Sequence, residues 1–248
     1  MKTINFGQKQ EIQPIDWQPY KGETVVVKTI IRKGKRIQET AFYPDKVKAV
    51  ARGNAYIIGN GPSRKDFDLK RLAATGQTYG CNALYRDFIP DFIFSVDTKV
   101  TQEMCNAEVG LKTFHYAPSL EVNRDYSKDM LHLIPNNPHW ISGNAAFWTA
   151  GVHGHTNIYL IGFDFREYGK GELNNMYQDT ENYGPRSGQD IFEGWLKQFW
   201  DMLKIRPYVN YNVVHDNPPE YMDYLQTGTD LGNSKVISYK EFEKVLTP

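Results

Sequence analysis

The first candidate for chemistry is a glycine-rich turn after an apolar run, YIIGNGPS at residues 56–63. Gly59 and Gly61 let a ligand approach the backbone closely. Ser63 or Asp66 is placed to cap a following helix, and the free amides at a helix N-terminus bind phosphate. The turn therefore predicts a nucleotide site, although a strand-to-helix turn also uses such residues for shape alone. It is neither a Walker loop nor a complete GxGxxG dinucleotide motif.

Polar side chains also follow the next two apolar runs. Asn82 ends the run at residues 78–82, where its amide could address a base or a ribose. Asp97 follows residues 92–96 and could bind a metal, accept a sugar hydroxyl or act as a base. Each residue taken singly also suits an ordinary turn or cap. Their recurrence at successive strand ends favours a shared site.

A second anion site is predicted at Ser142, Gly143 and Asn144, which precede a run of small residues. Close packing of a helix on a sheet would explain the same small residues. The apolar run at residues 158–163 then ends on Asp164, and Arg166 follows two positions later. Arg166 could neutralise a leaving phosphate or form an ion pair with Asp164.

No metal site is predicted from the histidines or cysteines. None of the histidines has a partner at a diagnostic metal or triad spacing; they are His115, His132, His139, His153, His155 and His215. The two cysteines lack metal-ligand or CxxC spacing and indicate reduced thiols, which predicts a cytoplasmic protein. The apolar runs are far shorter than a membrane span requires.

The elements that would position these residues alternate between strand and helix. Short apolar runs fall at residues 56–59, 78–82, 92–96, 112–116, 158–163 and 208–214. Apolar residues spaced by three and four predict helices at residues 66–74, 144–154 and 189–205. This alternation predicts an α/β fold with a Rossmann-like, doubly wound and largely parallel sheet, with ligands at the carboxyl ends of its strands.

The charge distribution divides the chain near Arg52. The sequence has 29 basic and 29 acidic residues, but residues 21–52 hold nine basic residues and three acidic ones. β-branched runs around a Lys-Gly-Lys turn predict a β-hairpin there. We therefore predict a basic, strand-rich appendage over residues 1–52 and a Rossmann-like nucleotide-binding domain over residues 53–248. A polyanionic partner is not excluded by the balanced total.

Two further segments carry little periodicity. Residues 169–188 are rich in Gly, Asn, Tyr and Asp, and a loop of this length is either a lid or binding loop or a disordered excursion. Residues 217–248 contain a Pro-Pro pair and two glycines, which predicts a segment that wraps around the domain surface.

The motifs at residues 57–63, 81–82, 142–143 and 158–165 resemble, in order and approximate spacing, the bacterial sialyltransferases of glycosyltransferase family 42. The segment at residues 90–97 looks more like the related motility-accessory-factor family, which also resembles 6-hydroxymethylpterin pyrophosphokinases. The similarity spans residues 54–205 and leaves the basic N-terminal section uncovered.

What the resemblance implies is a nucleotide-sugar site. Asn60 and Asn82 match positions that hold the cytidine monophosphate part of the donor, and Ser142 with Gly143 matches a donor-contacting turn. Where the family has a tyrosine that stabilises the departing phosphate, this chain has Arg166. Tyr168, Tyr177 or Tyr183 could assist it from the long loop.

The resemblance also implies a histidine base, but residues 183–190 contain none. Asp97 or Asp190 is the expected base instead. The predicted function is transfer of a sugar from a nucleotide-sugar donor to an acceptor hydroxyl, with no required cofactor and Mg²⁺ optional. The acceptor is a glycan, a protein or modified bases in DNA. The alternatives are a Mg²⁺-dependent nucleotide pyrophosphokinase and a catalytically inactive nucleotide-binding module.

Overall fold

A computed structural model describes most of the chain from Glu23 onward. The described residues are 23–32, 35–44, 54–118, 123, 126, 130–133, 140–164, 167–168, 172–173, 175–184, 189–217 and 232–247.

Twelve strands are present in these ranges. In chain order they are β1 (Glu23–Arg32), β2 (Lys35–Pro44), β3 (Asn54–Ile58), β4 (Gly76–Cys81), β5 (Phe92–Phe94), β6 (Phe114–Ala117), β7 (His132–Leu133), β8 (Asn157–Ile161), β9 (Glu167–Tyr168), β10 (Glu172–Leu173), β11 (Asn210–Val214) and β12 (Ser234–Ile237). Strands β1 and β2 pair with each other, and β9 pairs with β10. The remaining eight form one sheet in the order β12-β11-β8-β3-β4-β5-β6-β7.

All neighbours in the eight-stranded sheet are parallel. From the central β3 the chain builds outward through β4, β5, β6 and β7, and then returns to the other side of β3 to place β8, β11 and β12. This is a doubly wound α/β sheet, as the strand-helix alternation predicted. The predicted N-terminal hairpin is also present, because β1 and β2 are antiparallel with Arg32 opposite Lys35. The division into two domains remains a prediction.

The central strands are apolar on both faces because both faces are covered. Successive residues of β3 alternate between two cores: Ile57 packs with the helices on one face, and Tyr56 and Ile58 pack on the other. All three side chains are fully buried. The near-continuous apolar runs of the sequence thus mark strands in the middle of a three-layer structure.

Four α-helices are described: α1 (Thr98–Asn106), α2 (Ser142–Val152), α3 (Gln189–Ile205) and α4 (Tyr239–Val245). Helices α2 and α3 were predicted, and they pack on the face that carries Ile57. Helices α1 and α4 were not predicted; both are short, and they pack on the opposite face. None of the described helices is long and apolar enough to cross a membrane.

The helix predicted at residues 66–74 is wrong in type and in its cap. The segment forms a 3-10 helix at Leu69–Ala74, whose N-cap is Asp68, and the Asp68 carboxylate accepts from the amide of Lys70. Ser63 and Asp66 do not cap it. Only Leu69 and Leu72 of this segment are buried. They are three positions apart, which places them on the same face of a 3-10 helix.

In residues 232–247 of the C-terminal segment, the chain forms a strand and a helix that the sequence analysis did not predict. Within it, β12 is the edge strand of the sheet, and α4 buries Phe242 completely against Tyr56 and Tyr159. Helix α4 begins with a capping box, in which Ser238 and Glu241 satisfy each other's amides. This Ser-x-x-Glu pattern was a local signal for a helix that the sequence analysis did not use.

Candidate functional site

The strand order reverses between β3 and β8, because the strands that follow β3 are added on one side of it and β8 and its successors on the other. A cavity of about 280 Å³ opens at this point, at the carboxyl ends of the strands. We call it the switch-point cavity. This is the position at which open α/β sheets bind ligands. It is lined by residues from the predicted motifs and from segments that were not singled out: Gly59, Asn60, Gly61, Cys81, Asn82, Val96, Asp97, Val100, Ile141, Ser142, Gly143, Gly162, Phe163, Asp164, Asn175, Gln178, Tyr183, Gly184 and Trp195.

The glycine-rich turn is built for contact with the loop after β8. The amide of Gly59 donates to the carbonyl of Ile161 at 2.8 Å, and the amide of Gly61 donates to that of Gly162 at 2.9 Å. A Cβ on Gly59 would lie 2.5 Å from the Gly162 oxygen. Gly59 is therefore required because two backbones meet, a reason different from the predicted approach of a ligand.

Ser63 is hydrogen-bonded to the carboxylate of Asp164. Its amide donates to Oδ2 of Asp164 at 3.0 Å, and its hydroxyl forms a very short hydrogen bond with Oδ1 of the same residue. Asp164 is 5% exposed. The Ser63 donors that were predicted to hold a phosphate are thus occupied by a carboxylate of the protein, and Ser63 does not line the switch-point cavity.

Asn60 lines the cavity, and one of its side-chain atoms has no hydrogen-bond partner among the described residues. Its Nδ2 donates to the carbonyl of Cys81 at 3.3 Å. Its Oδ1 is buried and accepts no hydrogen bond among the described residues. An unsatisfied buried acceptor is costly, on the order of 1–3 kcal/mol, unless a ligand or water supplies a donor. Asn60 is therefore suited to accept from a ligand.

Asn82 is held in the cavity by a chain of hydrogen bonds. The amide of Val96 donates to the hydroxyl of Ser142 at 3.0 Å, and this hydroxyl donates to Oδ1 of Asn82 at 2.7 Å. Asn82 has a positive φ of 54°, a conformation that asparagine tolerates better than most residues. Because Oδ1 is engaged, the Nδ2 group remains to donate to a ligand.

The N-terminus of α2 opens onto the same cavity. Ile141 is its N-cap and provides no side-chain cap, and the amide of Ala145 makes the first intrahelical hydrogen bond, to Ile141. The amides of residues 142–144 have no acceptor within the helix. Ser142 and Gly143 line the cavity, and the anion site predicted at these residues stays a prediction.

Asn144 is placed differently from its two neighbours. Its side chain is fully buried and its Nδ2 donates to Oε1 of Gln198 on α3 at 3.2 Å. The same Gln198 oxygen accepts from the amide of Ile141 at 3.0 Å. Asn144 does not line the cavity, and its side chain instead joins α2 to α3.

Of the three predicted catalytic residues, only Asp97 has a side chain that the structure describes. Asp97 lines the cavity and is also the N-cap of α1, where its carboxylate accepts from the amide of Lys99 at 3.1 Å. Arg166 lies outside the described residues, and so do the side chains of Asp190 in α3 and of the predicted donor residue Tyr168 in β9. Their roles stay predictions.

Residues 175–184 form one side of the cavity, and we call them the wall segment. It contributes Asn175, Gln178, Tyr183 and Gly184 to the lining. The Tyr183 hydroxyl accepts from the amide of Ala83 at 3.1 Å. Burial raises its pKa far above the usual value, so Tyr183 is a neutral phenol at physiological pH. The lid or binding-loop interpretation of residues 169–188 therefore suits this part.

Tyr177 does not line the cavity. Its hydroxyl donates to Oδ2 of Asp87 at 2.6 Å and accepts from Nη2 of Arg64 at 3.1 Å. Both partners hold the phenol inside the protein, so Tyr177 is structural, and Tyr183 is the described tyrosine that reaches the site.

Two residues near the site were missed from the sequence. Trp195 lines the cavity from α3, where it begins the apolar stripe that continues through Phe199 and Met202 at helical spacing. His215 follows β11, and its Nε2 lies 3.7 Å from Oδ1 of Asp164. Its position directly after a strand was the signal that had already marked Asn82 and Asp97.

The other described histidines are structural where their contacts are known. His115 Nε2 is 2.7 Å from the Ser95 hydroxyl, His153 Nδ1 is 2.7 Å from the Tyr79 hydroxyl, and His155 Nε2 is 3.0 Å from Oε1 of Gln77. All three rings are buried. Among the described residues, no group of three or more His, Cys, Asp or Glu side chains could hold a metal ion.

Comparison with known proteins identifies similar folds at low identity. No protein-family model matches the chain, and no curated protein does. Two solved structures of the sialyltransferase CstII from Campylobacter jejuni are similar to it, one in complex with the substrate analogue cytidine-5'-monophosphate and one with CMP-3FNeuAc. They are 18% and 16% identical, with TM-scores of 0.41 and 0.42; the match covers 75% of this chain and 88% and 89% of theirs. The likeness to these structures concerns the fold alone, and the resemblance to the motility-accessory-factor family stays a prediction.

Proposed function

We propose that the protein is a glycosyltransferase that binds a nucleotide-activated sugar in the switch-point cavity. The observation that carries the proposal is the convergence of two asparagine side chains and the uncapped N-terminus of α2 in one cavity at the point where the strand order reverses. A nucleotide sugar needs both elements, because its phosphate is an anion and its base and ribose are polar.

The two asparagines offer complementary groups to such a donor. Among the described residues, Oδ1 of Asn60 accepts no hydrogen bond, so it suits a ribose hydroxyl or an exocyclic amine of the base. Nδ2 of Asn82 likewise donates to none of the described residues and suits a carbonyl or phosphate oxygen. The ring of Trp195 adds an apolar surface to the same cavity. A cytidine donor, as the sequence resemblance implies, would use all three features.

The transfer itself would proceed by displacement at the anomeric carbon. The acceptor hydroxyl oxygen forms the new bond to this carbon while the bond to the nucleotide phosphate breaks, and the hydroxyl proton passes to a carboxylate. We assign this role to Asp97 because it lines the cavity and is partly exposed, whereas Asp164 is buried with both oxygens engaged by Ser63. The amides at the N-terminus of α2, together with the predicted Arg166, would stabilise the departing phosphate.

The acceptor remains among those that the sequence predicted: a glycan, a protein or DNA. The DNA hypothesis depends on the basic side chains of residues 21–52. The structure describes the backbone of strands β1 and β2 but none of these side chains, and no observation among the described residues supports the hypothesis. Binding to duplex DNA at several salt concentrations would test it, because a phosphate-tracking hairpin must give a salt-dependent affinity.

The test of the proposed function is a binding panel followed by turnover. CMP, UMP, GMP and AMP are titrated by calorimetry, and the nucleotide sugars of each binder are then assayed for nucleotide release and sugar transfer. At least one nucleotide should bind, and Asn82→Ala should weaken it. Asn210→Ala is a control, because Asn210 is exposed at the opposite end of the sheet and contacts Asn157. Absence of binding by all four nucleotides at millimolar concentration would contradict the proposal.

The second candidate is a Mg²⁺-dependent nucleotide pyrophosphokinase. The observation that favours it is that Asp97 and Asp164 line the same cavity, where two carboxylates could share a Mg²⁺ with a nucleotide triphosphate. The cation would neutralise phosphate charge. ATP consumption that depends strictly on Mg²⁺, without release of sugar from any nucleotide sugar, would favour this candidate over sugar transfer.

A further inference from the structure

Among the described residues, one hydrogen bond between backbone groups attaches the wall segment to the rest of the site. The amide of Met176 donates to the carbonyl of Asn60 at 2.9 Å. Within the wall segment, the amide of Asp179 donates to the carbonyl of Tyr183 at 2.8 Å and closes a turn. Asp179 and Asn182 both have positive φ, at 62° and 64°. Side-chain contacts must therefore provide much of what fixes this wall against the cavity.

Arg86 makes more of those contacts than any other described residue, and Arg64, Asp87, Ala83 and Glu103 each contribute one hydrogen bond. It ends the 3-10 turn Asn82–Arg86 that begins with the cavity residue Asn82. Its Nη1 donates to the hydroxyl of Thr180 at 2.8 Å, and its Nη2 donates to the carbonyl of Glu181 at 3.2 Å. Its guanidinium carbon also lies 5.7 Å from the ring centroid of Tyr183, within cation–π range.

Glu103 of α1 completes the arrangement. Its Oε1 accepts from Nε of Arg86 at 3.0 Å and is in close contact with Nη2, while its Oε2 accepts from Nδ2 of Asn182 at 2.7 Å. Burial alone would raise the pKa of Glu103, but hydrogen bonds from Tyr85, Arg86 and Asn182 hold it below the usual value. The carboxylate is thus ionised at neutral pH and joins α1, the turn of Arg86 and the wall segment.

From these contacts we infer that Arg86, paired with Glu103, is a positioning residue of the nucleotide site: it holds the wall segment and the Asn82 turn in the geometry that binds the donor. The inference rests on the proposed function. Arg86 does not line the switch-point cavity, so it acts through Asn82, Tyr183 and Gly184. Neither Arg86 nor Glu103 belongs to the apolar cores, so their loss should loosen the wall without unfolding the sheet.

A second arginine–glutamate pair provides a matched control. Arg71 donates to Glu243 at 2.9 Å and lies 5.6 Å from the ring centroid of Phe67, so it has the same two kinds of contact as Arg86. Its side chain is 43% exposed, against 23% for Arg86, and it bonds α4 rather than the wall segment. Arg71→Gln therefore removes a comparable pair that is remote from the site.

The experiment compares Arg86→Gln, Arg86→Lys and Arg71→Gln with the unaltered protein by hydrogen exchange and by CMP titration. Arg86→Gln should speed exchange in residues 175–184 and leave β3, β4 and β8 protected. It should raise the Kd for CMP by about tenfold, the effect of roughly 1.4 kcal/mol. Arg86→Lys should restore part of the affinity, because it keeps the charge but not the forked donors. Arg71→Gln should change neither measurement.

Unchanged exchange in residues 175–184 of Arg86→Gln, or faster exchange throughout the sheet, would overturn the inference. So would an unchanged Kd in a variant whose wall segment exchanges faster. If the unaltered protein binds no CMP or any other nucleotide of the panel, the proposed function fails, and with it the assignment of Arg86 to a nucleotide site. The exchange data would then still report whether Arg86 fixes the wall.

Discussion

Ser63 and Asp164 are 101 positions apart in the chain, yet both the amide and the hydroxyl of Ser63 bond to the Asp164 carboxylate. This contact joins the loop after β3 to the loop after β8, which are the two sides of the switch point. His215 lies near the same carboxylate, with its Nε2 3.7 Å from Oδ1. The two sides of the switch point are therefore joined by a buried carboxyl group of the protein itself.

The first prediction concerns Gly61, which this carboxylate makes intolerant of a side chain. A Cβ on Gly61 would lie 2.5 Å from Cγ of Asp164, and Asp164 cannot move away without losing Ser63. Gly61→Ala should lower the free energy of unfolding by about 1–3 kcal/mol or displace Asp164 and impair nucleotide binding. Chemical denaturation and calorimetric titration measure the two effects.

Gly184→Ala is the control for this change. Gly184 also lines the cavity, but a Cβ there meets nothing within 4 Å. Gly184→Ala should therefore lower the free energy of unfolding far less than Gly61→Ala does. Equal stability and affinity in the two variants would contradict the role given to the contact between Gly61 and Asp164.

The second prediction concerns the buried acceptor of Asn60. Asn60→Ala removes both Oδ1, which is free for a ligand, and Nδ2, which bonds the Cys81 carbonyl at 3.3 Å. Asn212→Ala removes the same kind of bond, from Nδ2 to the Ile158 carbonyl at 3.3 Å, at a buried position outside the cavity. Both should cost about 1 kcal/mol of stability, but only Asn60→Ala should weaken nucleotide binding, by roughly tenfold. Equal affinities in the two variants, measured by calorimetry, would show that Oδ1 does not meet the ligand.

The third prediction separates the backbone role of Asn82 from its side chain. Because Asn82 has a φ of 54°, Asn82→Gly keeps the backbone relaxed while it removes the amide and the acceptor of the Ser142 hydroxyl. The variant should keep its melting temperature within a few degrees and lose nucleotide affinity by roughly tenfold. Glu108→Gly is the control, since Glu108 has the same φ of 54° on an exposed turn. Retained affinity in Asn82→Gly, or the same loss in Glu108→Gly, would contradict a binding role for the Asn82 amide.

The central part of the fold could be predicted because its strands are buried on both faces. A strand such as β8, with Ile158, Leu160 and Ile161 fully buried, reads as a continuous apolar run. The edge strands carry less of this signal: β7 is only His132–Leu133, and no residue of β12 is fully buried. Those two strands take their structure from pairing with a neighbour, which local sequence does not encode.

The candidate site could be predicted only as far as strand ends reveal it. Asn60, Asn82 and Asp97 were found in this way, Ser142 was found at the start of a predicted helix, and the structure brings all four into one cavity. That Ser63 would bind Asp164 could not be foreseen, because a serine after a glycine turn suits a phosphate and a carboxylate equally well. The contacts of Arg86 were likewise hidden, since they join segments almost 100 residues apart in sequence.

The last prediction concerns His115 in β6. The ring is fully buried, its Nε2 lies 2.7 Å from the Ser95 hydroxyl, and its Nδ1 makes no hydrogen bond among the described residues. Burial, with a smaller contribution from His132, lowers the pKa of His115 from 6.5 to about 3. The unfolded chain therefore takes up a proton near pH 6.5 that the folded protein does not accept until about pH 3.

The stability that His115 provides is consequently complete above pH 6.5 and is lost as the pH falls towards 3. In this window the group adds a slope of up to about 1.4 kcal/mol per pH unit to the free energy of unfolding. Urea denaturation between pH 4.5 and 8 measures it, and His115→Gln, which cannot titrate, should lose less stability on acidification than the unaltered protein. Parallel pH profiles for the two proteins would contradict a neutral, buried His115, because the variant differs from the original in this one titratable group.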